Sequence, residues 1–324
     1  MDFVLGRNTT YALSHNGNLL GHYKTELLPF TLRFEFSKPD YIPPRIIMAS
    51  GSTWTKVQGI QENRWDFHYE SQYWPSLFEH IFENTGVKVK VVYGNLAGVT
   101  HMTSLFWGCQ DLVSVCSLNS GDAIRMNNMF YWCYNLERIG TLDTKNVTTM
   151  QEMFTRCFKL KAVNFTDTSK VEDMSLMFQA CWELPRIPNM NTASLTNAAY
   201  MFNDCRAIKT VPLFDTSKVT YIRSMFDWCD ALETVPLFDF SSVTGAMAAF
   251  NHCEKLRYIP AFNFASLGDA RYTFNDCYSV ESGILDMYNS LKDRVTQHSG
   301  TFYNCGRDSV TGAAELAQIP DDWK

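Results

Sequence analysis

The sequence predicts an α/β protein: a curved solenoid of 24-residue helix-strand repeats, preceded by a small, mainly β N-terminal domain. Three observations predict it. Phenylalanine recurs at 106, 130, 154, 178, 202, 226, 250 and 274, and a cysteine follows each one three residues later, from Cys109 to Cys277. An apolar residue sits six places after every one of these Phe residues, from Leu112 to Val280, and for seven of the eight another sits at nine, from Val115 to Ile259. The first 94 residues show no such period. Columns held in register at a fixed spacing mean that each repeat buries its apolar face only against its neighbours.

Taken in order, Val4-Leu5-Gly6 and Leu19-Leu20-Gly21 flank short strand-like runs, with an Asn16-Gly17 hairpin signal between them. Phe30 to Phe36 alternates apolar with polar, the pattern of a half-buried strand. Pro39, Pro43, Pro44 and Gly51 punctuate a loop, and Trp54 to Val57 and Arg64 to Phe67 read as two more strands. Ser76 with Glu79 three residues on has the form of a capping box, and Leu77, Phe78, Ile81 and Phe82 fall on one face of the short helix it would start. Val87 to Val92 is a strand leading into Gly94. Residues 1–94 are therefore expected as a β-rich attachment and capping module, 95–306 as a solenoid of eight to nine repeats, and 307–324 as a C-terminal cap.

Within a repeat, Val219, Ile222, Met225, Phe226 and Cys229 are spaced three, three, one and three, which predicts a helix from about Ser217 to Cys229. Asp215-Thr216-Ser217 ahead of it supplies capping oxygens. Leu232 to Phe238, partly β-branched and interrupted by Pro236, predicts a short strand. Parallel strands stack ~4.8 Å apart whereas packed helices need roughly 8 to 10 Å, so the helix side is expected to splay and the strand side to form a concave arc of about 40 Å. Cys277 to Cys305 spans 28 residues instead of 24, so the last turn is altered. Ile319-Pro320-Asp321-Asp322-Trp323 is expected to fold back over it.

The unit Met-Phe-x-x-Cys-x-x-Leu-x-x-Ile/Val-Pro-x-Phe-Asp-Thr-Ser-x-Val-Thr-x-Met, clearest in Met201 to Ile222, resembles the BspA-like leucine-rich repeats of bacterial surface proteins over residues 96–306. The first 95 residues are similar to a leader module found before such repeats in gut Bacteroidales and their phages. That similarity rests on the Val-Leu-Gly and Leu-Leu-Gly strands, Trp54-Thr55-Lys56-Val57 and Trp65-Asp66. The resemblance implies a leucine-rich-repeat-like solenoid that serves adhesion and protein binding rather than catalysis. The N-terminus lacks the features of a secretory signal, which tilts the expectation toward a structural protein of a bacteriophage virion, with a bacterial cell-surface or secreted adhesin as the alternative.

Composition narrows the partners. A net charge of −6 gives no broad cationic field for nucleic acid or anionic membrane, and no run of about 18 apolar residues predicts a membrane span. Nine of ten cysteines share one column, Cys305 included, leaving only Cys116 outside it. Side chains repeated in parallel suit stacked free thiols better than crosslinks, and free thiols fit a reducing cytoplasm. No phosphate loop, nucleophile elbow or zinc motif appears, and the Asp column (Asp143, Asp167, Asp215, Asp239) reads as caps or turns. No catalytic residue, cofactor or metal is expected; a polysaccharide depolymerase would need two converging carboxylates that nothing nominates.

The candidate binding surface lies where the repeat does not dictate the residue. Trp107, Tyr131, Trp132, Tyr134, Phe158, Trp182 and Trp228 cluster near the expected helix ends, where other repeats carry Asn, Asp or Gln. Arg138, Arg186 and Tyr258 lie on the strand side. Aromatic clusters of this kind stack on glycans, form protein interfaces, or pack against the next repeat's loop. The expected partners are virion or surface proteins at the N-terminal module and a host-surface protein or glycan on the solenoid, with homo-oligomerisation left open.

Overall fold

The computed structural model describes residues 10–15, 18–24, 30–44, 52–57, 63–69, 71–72 and 76–324. Val4-Leu5-Gly6, the Asn16-Gly17 turn and Gly51 lie outside these. Strands β1 (Thr10–His15) and β2 (Asn18–Lys24) pair antiparallel with His15 opposite Asn18, the register a two-residue connection requires. The strands expected downstream follow as β3 (Thr31–Phe36), β4 (Thr53–Lys56), β5 (Asn63–His68) and β6 (Val89–Asn95).

These last four open a seven-stranded sheet of order β4-β5-β3-β6-β7-β8-β9, in which β7 is Leu112–Asn119, β8 Arg138–Leu142 and β9 Ala162–Phe165. The pairing changes hand at β6. β3 lies antiparallel to β5 and β6, whereas β6, β7, β8 and β9 run parallel, as successive rungs of a solenoid must. Alternation in β3 sends Leu32, Phe34 and Phe36 into the core. It leaves Arg33 to pair with Asp66, and Glu35 with Arg64 and Lys90, across the other face.

The helix expected in every repeat is not there; its place is taken by a run of turns. Alternate N–H groups bond three residues back, as Met225 to Ile222 O and Cys229 to Phe226 O. Those between them donate to the next repeat: Ser224 to Met247 O, Phe226 to Ala249 O and Trp228 to Asn251 O. Residues two before and two after each Phe adopt positive φ, for example Ser224 (49°) and Trp228 (60°). The segment is therefore stitched to its neighbours by backbone bonds. Successive Phe rings from 106 to 274 stack at 5.4–5.6 Å. Packed helices would stand roughly 8 to 10 Å apart, so the helix-driven splay expected for the convex side has no cause.

Every Phe and Cys of the column is buried, with the Leu/Ile/Val columns beside them, in one continuous core shared with Phe34, Phe67, Phe78 and Phe82. On the strand side β9 is the last strand. From Pro188 onward a proline stands ten residues after each Phe (Pro188, Pro212, Pro236, Pro260) and removes the N–H a longer ladder would need, leaving single parallel bridges such as Thr210 to Thr234.

Both ends are altered rungs. Residues 76–82 form no helix but sit in repeat register. Ser76, Phe78 and His80 donate N–H bonds to Thr103, Leu105 and Trp107 O, and Phe78 stacks 5.4 Å from Phe106. Phe78 lies 28 residues before Phe106 rather than 24, so the register begins upstream of residue 94 while escaping a strict periodicity. At the other end the four extra residues accommodate α1 (Ile284–Leu291), and α2 (Val310–Leu316) and a 3-10 turn (Asp321–Trp323) complete the cap. Trp323 is buried, stacks on Phe302 and His298, and accepts the Phe302 N–H where another repeat would otherwise do so.

Candidate binding surface

The turn run directs three columns outward: the positions one, two and four after each Phe. In the first rungs these hold Trp107, Tyr131, Trp132, Tyr134, Phe158 and Trp182, and the structure joins all six into one tract. Ring centroids are 5.4 Å apart from Trp107 to Tyr131, 5.4 Å to Trp132, 6.3 Å to Tyr134, 4.8 Å to Phe158 and 4.0 Å to Trp182. Arg156 lies over Trp132 at 5.4 Å and Arg206 over Trp182 at 5.0 Å. Asp204 fixes that end, accepting from Trp182 Nε1 at 2.7 Å and from Arg206 Nε at 2.7 Å. Trp182 is exposed and the other five are half-buried. Trp228 stands apart from them, face to face with His252 at 3.9 Å.

Arg138, Arg186 and Tyr258 do not join the tract. They share one column eight residues after each Phe, on the strand side, where β8 carries Arg138 and all three are exposed. The ten candidates thus divide among the tract, the Trp228 pair and the strand face.

Beyond the tract the column next to each Phe becomes an amide ladder that the sequence reading noted only as variation. Gln179 Nε2 donates to Asn203 Oδ1 (3.0 Å), Asn203 to Asp227 O (3.1 Å), Asn251 to Asp227 Oδ1 (2.8 Å) and Asn275 to Asn251 Oδ1 (2.6 Å). Its signal was the 24-residue spacing of Gln, Asn and Asp. Burial raises the Asp227 carboxyl above the usual range, against the hydrogen bonds from Asn251 and Ser224.

The Asp column makes turns. Asp167, Asp215 and Asp239 each accept the N–H of the Ser two residues on, at 2.9, 3.1 and 3.0 Å. The Ser169 backbone N–H holds the Asp167 carboxyl below its ordinary value, and the Ser217 hydroxyl does the same for Asp215. Among the described residues no three His, Cys, Asp or Glu side chains converge as a metal-ion site, and no helix is long and apolar enough to cross a membrane.

Two solved structures are similar to this chain. One is a leucine-rich cell surface protein from Faecalibacterium prausnitzii A2-165, 17% identical, with a TM-score of 0.35 over 82% of this chain and 89% of that one. The other is a leucine-rich repeat protein from Eubacterium ventriosum ATCC 27560, 14% identical, with a TM-score of 0.33 over 68% of this chain and 90% of that one. No curated protein matches the chain. The family described as "Mycoplasma protein of unknown function, DUF285" matches residues 76–183 and 156–258, more than half the sequence and starting where the Phe78 rung begins. With its 24-residue rungs, its Phe and Cys columns and that match, the chain belongs to this family of BspA-like leucine-rich repeats.

Proposed function

We propose that this chain is a noncatalytic binding protein whose rigid rungs display a recognition surface, and that the surface is the tract from Trp107 to Trp182. The observation that carries the reading is placement. Six aromatic side chains occupy outward columns where most later rungs carry Gln, Asn, Asp, Glu, Ala or Arg, with Trp228, His252 and Tyr278 the exceptions, so the fold does not require them there. Tryptophan and tyrosine at such positions supply contact area at low entropic cost. The rings of Tyr134, Phe158 and Trp182 stack on each other, and Arg206 covers Trp182. Those ring faces are engaged within the chain, which favours a protein partner over a glycan needing an open ring face.

The chain's place of display is proposed to be a phage virion, held there by the N-terminal β module. Nine buried thiols, none in a disulfide, suit a protein that folds in a reducing cytoplasm before release. Two experiments test the proposal. Mass spectrometry of purified particles should find the chain; its absence from particles and recovery on intact bacterial cells would replace the virion with a cell-surface adhesin. In the second, Phe158→Ala and Trp182→Ala together should abolish binding of the purified chain to host-cell surface protein while leaving its circular dichroism unchanged. Binding that survives both changes would remove the tract from the reading.

A further inference from the structure

The strand-side face carries a column of charge that alternates in sign from rung to rung. Seven residues after each of four successive Phe residues stand Lys209, Glu233, Arg257 and Glu281. Backbone bonds from Glu233 N to Lys209 O, Arg257 N to Glu233 O and Glu281 N to Arg257 O place them on adjacent rungs. Upstream in the same column Lys161 lies 3.9 Å from Glu137, and it pairs at 3.3 Å with Glu183, which stands five residues after its Phe. Among the described residues none of the four downstream charges has an ionic partner within 4 Å.

One and four positions further along the rungs apolar side chains are exposed: Leu213 is 71% exposed, Leu237 61% and Tyr258 40%, the last with its hydroxyl donating to Val235 O at 3.4 Å. Leu213 and Leu237 stand eleven residues after their Phe, and the next rung has Ala261 there. Tyr258 stands eight after its Phe, and the rung before it has Thr234.

We propose that this face binds a second copy of the same chain, antiparallel, about a two-fold axis lying between the Phe226 and Phe250 rungs. Such an axis brings each column against itself in reverse order, as an isologous interface requires. Lys209 then meets Glu281 and Glu233 meets Arg257, so all four charges of each copy face an opposite sign. The same axis sets Leu237 against Ala261 and Tyr258 against Thr234, large against small in both cases. The charge column selects the axis, since this one alone sets all four charges of each copy against opposite sign. The contact has the form of stable interfaces, an apolar patch with complementary charges around it.

The test is a charge exchange followed by sedimentation velocity. Wild-type chain sediments at twice the monomer mass. Glu233→Arg sets arginine against Arg257, and Arg257→Glu sets glutamate against Glu233, so each variant alone has its dissociation constant raised roughly tenfold or more. An equimolar mixture of the two restores the dimer as a heterodimer, because every facing pair is again opposite in sign. That rescue is intermolecular: a variant that had merely misfolded would not regain a partner on mixing, and thermal melts of each variant check the fold directly. A wild-type chain that stays monomeric at its highest soluble concentration, single variants that dimerise as the wild type does, or a mixture that stays monomeric would each overturn the proposal.

Discussion

Each column cysteine from Cys109 to Cys277 does two things at once. It is small and apolar enough for the interior, and its Sγ donates to the carbonyl of the preceding rung's Phe: Cys133 to Phe106 at 3.0 Å, Cys157 to Phe130 at 3.1 Å, Cys229 to Phe202 at 3.2 Å. Alanine would leave that buried carbonyl with one bond fewer, and valine offers no donor. Burial disfavours the thiolate, pushing Cys109 up to about 12 and its stacked neighbours higher still. Alkylation follows the thiolate and needs access. Iodoacetamide applied to the folded protein at pH 8 should therefore modify Cys116, which is exposed, and leave the nine buried thiols intact; in denaturant all ten should react. Intact-mass spectrometry reads the adduct number directly, and a folded chain carrying two or more adducts would mean the column is open to solvent. The burial was legible from the register of the column, whereas the bond to Phe was not, because a residue's spacing says nothing of which carbonyl it meets.

The element the sequence misread is instructive for the same reason. Val219, Ile222, Met225, Phe226 and Cys229 recur at the spacing of a helix face, but a coil of turns with every third residue inward gives the same spacing. What separates the two is backbone hand, and the left-handed positions hold residues that rarely announce it: Leu176 at φ 58°, Tyr200 at 57°, Arg156 at 61°. Gly108 and Gly300, with Asn128, Asp204, His252, Asp276 and Asn304 in the same two columns, are the residues that hinted at it. Left-handed backbone costs an L-residue roughly 1–2 kcal/mol. Ala248, at φ 56°, carries that cost with a side chain that makes no hydrogen bond, so it isolates the effect. Ala248→Gly should stabilise the protein by about 1 kcal/mol, less what glycine loses in unfolded-chain entropy, and Ala248→Val should destabilise it by at least as much. Urea midpoints of the two variants decide it: in an α-helix the glycine would cost stability. The period, the core columns and the aromatic candidates were all readable from spacing. The tract's continuity and the amide ladder needed the rungs brought to within 5.6 Å of one another, which the helical reading did not provide.

At the scale of the molecule the rungs form one continuous stack, so stability is won or lost at its ends. A repeat array buries each unit against the next and leaves the terminal units with an apolar face to cover. The N-terminal cover is the β3–β6 pairing with Phe34 against Phe78, Phe82 and Phe106. A cut at residue 94 would remove Phe78 and β6 along with it, so the solenoid is not separable there. The C-terminal cover is narrower, resting on Trp323 over Phe302 and His298, with Tyr288 edge-on to the same indole. Removing residues 307–324 should bare the Phe302 rung together with the N–H that Trp323 satisfies, presenting an open end of stacked rungs. Such an end is heterologous to the capped one, so contact need not close and growth can continue. The truncated chain should keep its circular dichroism yet show light scattering that rises with concentration beyond the wild-type size. Trp323→Ala, which removes the indole and keeps the main chain, should lose about 3 kcal/mol of stability with less association. A truncated chain with wild-type melting temperature and hydrodynamic radius would show that the core needs no C-terminal cover, and would put the limit of the stack somewhere other than its last phenylalanine.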